Sequence, residues 1–236
     1  MSDLRVALIG MGKMGRALAA LAPERGFRVV ATIDLMAGEA RIVTRDLLAD
    51  AEVAIEFTTP DAAAANVRAC VAAQCPVVVG TTGWYAELPA VREETKQGGG
   101  ALLTAPNFSI GVAVFDRVVA EASRLFRGVP GFEAHMIETH HSAKKDAPSG
   151  TAAMLAKTAS ENLGAEVGIT SVRVGAVPGT HELIFDSAFE QVRLIHEARD
   201  RRVFAEGALI AARWLVGRTG VFTMQDVLSS PAGSPS

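Results

Sequence analysis

The sequence predicts an α/β chain in two parts: a domain built on a parallel sheet, followed by a second α+β domain on a mixed or antiparallel sheet. Three observations predict it. Short, continuously apolar runs alternate with helical stretches up to about residue 107, a glycine-rich turn follows the first run, and beyond residue 108 the later runs show period-two alternation. Strands covered on both faces read as unbroken apolar runs, whereas strands with one wet or partner-covered face alternate.

In the first part, residues 5–9 (RVALI) form a strand that runs into glycines, and residues 17–21 continue as a helix. Residues 28–33 (RVVATI) are a β-branched strand ending at Asp34. A strand over 53–57 leads into Thr58-Thr59-Pro60, and 61–73 is an Ala-rich helix. The strand 76–79 is closed by Gly80-Thr81-Thr82-Gly83, the stretch 87–97 is a helix, and 101–104 is a strand. In the second part, 110–126 is a long helix, 132–139 a strand running into a polar loop, and 150–163 a helix. Strands over 171–174, 181–185 and 191–196 precede a closing helix over 204–216, and 228–236 reads as a frayed tail of Ser and Pro. The expected division is 1–107, with about 203–230 packing back on it, and 108–202.

Composition narrows the function classes. Over 236 residues, 49% hydrophobic and 21% charged side chains are the balance of a folded globular protein. A net charge of −3 gives no broad positive field, which argues against a nucleic-acid partner. The start lacks the basic n-region of a secretory signal, and no run approaches the roughly 18 apolar residues of a membrane span. A cytoplasmic protein is therefore expected. Cys70 and Cys75 are too few for a disulfide framework and match no zinc spacing.

Gly10-Met11-Gly12-Lys13-Met14-Gly15 is G-x-G-x-x-G between the first strand and the first helix. Glycines there allow a tight turn and close backbone approach to a pyrophosphate, whose charge is favoured at a helix N-terminus. Asp34 ends the second strand about 20 residues on, where a carboxylate accepts hydrogen bonds from an adenosine ribose. The first domain is therefore Rossmann-like and dinucleotide-binding. Leu35 and Met36 follow Asp34 with no adjacent cation, so NADH is expected in preference to NADPH; in the counter-reading, Lys13 or Arg41 receives a 2′-phosphate.

The stretch from Glu138 to Thr151, ETHHSAKKDAPSGT, places two imidazoles, two ammonium groups and a helix start within 14 residues. Pro148 and Ser149 suit a first helical turn, so the amides near Ser149, Gly150 and Thr151 are expected to be free. Free amides, hydroxyls and lysines make a carboxylate receptacle, and imidazole and ammonium supply protons near neutral pH. A rival metal site would use His135, Glu138 and His140 or His141. Strand alternation sends His140 and His141 to opposite faces, and no metal is expected.

With VALIGMGKMGR, EFTTP, VVVGTTGW, APNFSIGV and FAEGALIAARWL elsewhere in the chain, this segment makes the sequence resemble the dihydrodipicolinate (4-hydroxy-tetrahydrodipicolinate) reductase family nearly end to end. The resemblance implies an NAD(P)H-dependent oxidoreductase of the diaminopimelate route of lysine biosynthesis, acting on a small cyclic dicarboxylate, and a homotetramer. It implies that Gly10, Met11, Gly12, Lys13, Met14, Gly15 and Asp34 hold the adenosine and pyrophosphate. Gly80, Thr81 and Thr82 with Ala105, Pro106, Asn107 and Phe108 would line the nicotinamide end. His140 and Lys144 look like the catalytic proton donors, and His141, Ser149, Gly150 and Thr151 like ligands of the two substrate carboxylates. Arg201 resembles a basic residue near the cofactor. Many members carry one more residue before the last loop glycine, and the stretch between Asp34 and Glu56 is short, as if a strand-helix unit were trimmed. A semialdehyde dehydrogenase would need a nucleophilic thiolate from Cys70 or Cys75. A dinucleotide-sensing regulatory domain would have no use for His140, His141 and Lys144.

Overall fold

The chain begins with β1 (Leu4–Ile9), α1 (Lys13–Leu21), a 3-10 turn at Pro23–Arg25, β2 (Phe27–Ile33), β3 (Val53–Glu56), α2 (Pro60–Ala72), β4 (Val77–Val79), α3 (Leu88–Gln97) and β5 (Ala101–Thr104). It continues through α4 (Ile110–Phe126), β6 (Glu133–His140), α5 (Gly150–Leu163), β7 (Gly168–Arg173), β8 (Thr180–Asp186) and β9 (Gln191–Glu197). It closes with α6 (Arg202–Leu215), β10 (Gly220–Phe222) and α7 (Met224–Ser229). These elements come from a computed structural model that describes residues 3–34 and 43–229. They fall into two compact units, one of residues up to Ile110 together with those from Arg202 onward, the other Gly111–Arg201.

The first unit is a six-stranded sheet in the order β10-β5-β4-β3-β1-β2, parallel at every pairing. Its inner strands β1, β3, β4 and β5 read as unbroken apolar runs because both faces are covered. Ala7, Ile9, Ala54, Val77, Val79 and Leu102 share a core with Ala63, Val67, Cys70 and Val71 of α2 and Val91 of α3. The intervening Val6, Leu8, Val53, Ile55, Val78 and Leu103 are at most 1% exposed, with α6 packed against β3, β4, β5 and α1. A strand with no wet face has no reason to alternate.

Two elements were not anticipated. β10 adds an edge strand beside β5, with Phe222 edge-on to Trp214 at 5.1 Å, and three residues are too few to carry a periodicity. Leu228 and Ser229, expected in a frayed tail, belong to α7; the rest of that expected tail, 230–236, lies outside the described residues.

The second unit is a four-stranded sheet in the order β7-β6-β8-β9. β6 pairs antiparallel with β8, and β8 with β9, but β6 and β7 are parallel. The sheet is therefore mixed. Antiparallel pairing throughout, the simplest reading of the alternation, fails because α5 connects β6 to β7, and a helical crossover returns the chain to the end where β6 began. The strand expected over 171–174 starts earlier, at Gly168. One sheet face is apolar: Met136, Leu183 and Phe185 pack on Phe115 and Val119 of α4 and on Leu155, Ala156 and Ala159 of α5. By strand alternation the other face carries Ile137, Val172 and Ile195 beside the His135–Thr170 hydrogen bond and the Arg193–Glu182 ion pair.

Gly207 shows how closely α6 seats in the first unit, since a Cβ there would stand 1.6 Å from the Phe108 carbonyl oxygen. The helix backbone rests on the loop that follows β5. Gly207→Ala is expected to destabilise the protein by about 1–3 kcal/mol, the cost of overpacking, read as a lower midpoint in urea unfolding. An unchanged midpoint would mean that α6 can move off the loop without penalty.

Candidate active site

The glycine turn of the first unit is closed by two backbone contacts that exclude any side chain. Gly10 has φ +92°, and a Cβ on it would lie 2.1 Å from the Phe57 carbonyl oxygen; one on Gly15 would lie 2.0 Å from the Gly10 carbonyl oxygen. β1, the β3–α2 loop and α1 thus meet backbone to backbone. A Cβ on Gly12, by contrast, would meet nothing within 4 Å, and Gly12 caps α1 without a side-chain hydrogen bond. The start of α1 therefore opens onto free space, as pyrophosphate binding requires. Lys13 is exposed and Met14 half-buried at this edge. Asp34 is exposed at the end of β2, where its Oδ1 accepts from the Met11 amide at 3.3 Å. Arg41, the cation weighed for a 2′-phosphate, lies outside the described residues, as do Leu35 and Met36.

The neighbouring turns rest on a carboxylate that was not singled out from the sequence. Glu56 ends β3 fully buried and accepts from the Thr58 amide at 3.0 Å, from Asn66 Nδ2 at 3.3 Å and from the Thr58 hydroxyl. The Thr58 amide is also 2.7 Å from Thr81 Oγ1, and the Thr81 carbonyl accepts from the Trp84 indole at 2.9 Å. Burial pushes the Glu56 carboxyl above its usual range, against hydrogen bonds from Thr58, Thr81 and Asn66 that pull it down. Thr81 is held by this network and the Gly80 amide by the Glu56 backbone carbonyl at 2.9 Å, while Thr82 and Pro106 are exposed. Ala105 and Phe108 are buried, the Phe108 ring lies 5.8 Å from that of Phe57, and Asn107 Oδ1 accepts from the Ser109 amide at 2.8 Å.

In the second unit, the strand register assembles a cluster that spacing alone could not show. Glu138 of β6 sits opposite His181 of β8 and beside Ser171 of β7, while His140, two residues on, shares its face. The Glu138 side chain is 0% exposed. Its Oε2 contacts His140 Nδ1; its Oε1 accepts from Arg173 Nη2 at 2.6 Å and from the Ser149 amide at 3.3 Å. Burial alone would raise the Glu138 pKa, but the hydrogen bonds from Arg173, Ser171 and His140 outweigh it and hold the carboxyl at about 2. For His140 burial is the larger influence and lowers its pKa, against the raising effect of Glu138.

Lys144 Nζ lies 2.8 Å from each carboxylate oxygen of Asp146, whose backbone carbonyl accepts from the same Arg173 Nη2 at 2.6 Å. One guanidinium therefore ties the lysine-bearing loop to the buried glutamate. His141 lies beyond the end of β6, so the strand argument that set it opposite His140 does not apply to it. Its Nε2 accepts from Arg201 at 2.8 Å, which places Arg201 beside His141 within this unit.

Ser149 is 2% exposed, and both its hydroxyl oxygen and its amide have partners. Its Oγ accepts from the Ala152 amide at 3.1 Å and stands 3.4 Å from His181 Nε2. Its amide, expected to be free, is held by Glu138, because the buried carboxylate reaches the first turn of α5. Gly150 keeps open space where a Cβ would stand, and Thr151 is half-buried. His181 is driven to a pKa of about 4, first by burial and then by the neighbouring His140 and His196; burial also lowers that of His196.

The trio weighed for a metal is divided by the sheet: His135 bonds Thr170 on the open face, whereas Glu138 and His140 point under the helices. Among the described residues no group of three or more His, Cys, Asp or Glu could hold a metal ion, and no helix is long and apolar enough to cross a membrane. Cys70 and Cys75 are buried. Desolvation raises both thiols, Cys70 well above its ordinary range and Cys75 to about 11, so neither serves as a thiolate nucleophile.

Comparison with known proteins places both units. Residues 4–108 match the family model for the dihydrodipicolinate reductase N-terminus, and 111–228 that for its C-terminus. A 4-hydroxy-tetrahydrodipicolinate reductase of Christiangramia forsetii is 35% identical, over 96% of this chain and 98% of that protein. One from Methanospirillum hungatei is 33% identical, over 96% and 99% respectively. The structure of a dipicolinate-bound dihydrodipicolinate reductase from Paenisporosarcina shares the fold, with a TM-score of 0.81, 21% identity and coverage of 95% of this chain and 99% of that one.

The histidine cluster has a consequence for acid stability. With its folded pKa near 4 against 6.5 unperturbed, His181 binds its proton more readily in the unfolded chain. Its contribution to stability is complete above pH 6.5 and is lost as the pH falls towards 4. The unfolding free energy should decline across that window and His181→Gln should flatten the decline, measured by urea titration at successive pH values. An equally steep decline in the variant would show that His181 is not buried as a neutral group.

Proposed function

The chain belongs to the dihydrodipicolinate reductase family, NAD(P)H-dependent oxidoreductases, and from that premise we propose how its residues divide the reduction of 4-hydroxy-tetrahydrodipicolinate to tetrahydrodipicolinate. The first unit holds the dinucleotide. Gly10 to Gly15 receive the pyrophosphate at the open start of α1, and Asp34 receives the adenosine ribose. Gly80, Thr81 and Thr82 with Ala105, Pro106, Asn107 and Phe108 face the nicotinamide, whose reduced ring supplies the hydride. NADH is the preferred donor, because the carboxylate of Asp34 accepts ribose hydroxyls and repels a 2′-phosphate.

The second unit holds the cyclic dicarboxylate. His141 and the turn Ser149, Gly150 and Thr151 receive its carboxylates at the start of α5, and Lys144 offsets their charge. Loss of water from the 4-hydroxy substrate gives an α,β-unsaturated imine. Addition of hydride at ring C4 moves electron density towards the ring nitrogen and leaves an enamine that takes a proton at C3. His140 and Lys144 deliver that proton. The observation that carries this assignment is the buried His140 imidazole at the end of β6, with the half-buried Lys144 ammonium on the loop leading into α5 near enough for its charge to act on that ring. The exposed Val172 and Ile195 on the open face of the four-stranded sheet suit association into a homotetramer, which sedimentation would report as four chain masses.

Initial rates with the cyclic imine dicarboxylate, using NADH and NADPH in parallel, test the reading. The expected result is oxidation of both, with the higher kcat/KM for NADH; a clear NADPH preference would overturn the role given to Asp34. Lys144→Ala is expected to cut kcat by about 10²–10⁴-fold, the usual cost of a positioned general acid, while NADH binding changes little. Equal, mild losses in both would remove Lys144 from the chemistry.

A further inference from the structure

Glu138 has no part in the proton delivery just described, yet the second unit goes to unusual lengths to keep its carboxylate ionised under the helices. Burying a charge is costly unless it is paired and hydrogen-bonded. Here the cost is met by Arg173 and by the Ser149 amide, both on Oε1, which leaves Oε2 for His140 Nδ1. An ionised carboxylate only accepts, so the nitrogen facing it must carry a proton. The other ring nitrogen, Nε2, lies against Gly179, where an added Cβ would stand 3.0 Å from it. Gly179 has φ +153°, a conformation that favours glycine, and its missing side chain keeps the Nε2 end of the ring clear.

Resting on the proton-donor role given to His140 above, we propose that Glu138, clamped by Arg173, is the positioning residue for that histidine. It fixes the Nδ1–H tautomer and orients the ring, so Nε2 is the atom that exchanges the catalytic proton. In the protonation step the Nε2–H bond of the imidazolium breaks and a C–H bond forms at C3 of the enamine. The N–H electron pair returns to the ring, leaving a neutral imidazole with its proton on Nδ1. Glu138 stays ionised throughout, and Nε2 regains its proton from water. The other charged or titratable groups facing His140 are Lys144 from the loop, itself paired with Asp146, Arg173 from β7 and His181 from β8, with His196 of β9 behind His181. Among the described residues, it is the Glu138 carboxylate rather than any of these that contacts a ring nitrogen of His140. This is the logic by which a carboxylate orients an imidazole and stabilises its charged form in other proton-transfer sites.

The test combines kinetics with a direct reading of the ring. Glu138→Gln keeps the size of the side chain and removes its charge. It is expected to lower kcat by about 10–100-fold, the range for losing an orienting partner, with KM and NADH affinity nearly unchanged. Because the carboxylate favours the imidazolium, its loss should move the alkaline fall of kcat to lower pH, and Glu138→Asp should recover part of both effects. Nitrogen-15 chemical shifts of His140 in the unaltered protein should show Nδ1 protonated and Nε2 bare once the ring is neutral. That measurement needs neither turnover nor a folded variant. A neutral ring protonated at Nε2, or a Glu138→Gln enzyme with the parent's kcat and pH profile, would overturn the proposal. Failure of the parent protein to oxidise NADH with the cyclic substrate would instead defeat the functional reading and leave the tautomer result standing.

Discussion

The second unit is organised around one buried charge. The Glu138 carboxylate receives an arginine from β7, an imidazole from its own strand and the backbone amide that opens α5. Three elements therefore converge on two oxygen atoms. Leaving such a group unpaired would cost several kcal/mol, so β7, β6 and the start of α5 are held to a single mutual arrangement. The same arrangement places His140, Lys144 and the open N-terminus of α5 close together. Arg173 extends the constraint, because its Nη2 also takes the Asp146 carbonyl and so anchors the loop that carries Lys144.

The first unit contains a second buried carboxylate with the opposite electrostatic character. Glu56 is surrounded by neutral donors, Thr58, Asn66 and Thr81, and burial prevails, raising its pKa. Glu138 has a guanidinium at 2.6 Å, and its pKa falls to about 2. Both residues stand at or near the end of a strand and tie down the turns beyond it. One does so with hydrogen bonds from neutral donors, the other with a charge that can influence a neighbouring imidazole. Only the second arrangement can bias a proton transfer.

Much of this was legible in the residues. Unbroken apolar runs announced the parallel sheet because strands covered on both faces have nothing to alternate. The glycine spacing announced the tight turn because no other residue tolerates the approach of Gly15 to the Gly10 carbonyl oxygen. The polar loop that carries His140 and Lys144 and the helix start at Ser149 could be placed because each is local to one short stretch of chain. What escaped notice has a common cause. Glu138 appeared only as a candidate metal ligand, and Arg173, Gly179 and His181 not at all, because each acts through a neighbour on another strand. β10 and α7 were missed because three-residue and six-residue elements are too short to declare a period.

The sequence by itself determined the buried parallel strands β1 and β3 to β5, the glycine turn, the helix start at Ser149 and the family to which the chain belongs, since all of these rest on residues close together or on motifs read in order. The tertiary structure decided the parallel pairing of β6 with β7, the commitment of Ser149 to Glu138 and the company His140 keeps. The reason is register. A slip of one residue sends every side chain of a strand to the opposite face, so which imidazole meets which carboxylate is settled only when β6, β7 and β8 are paired.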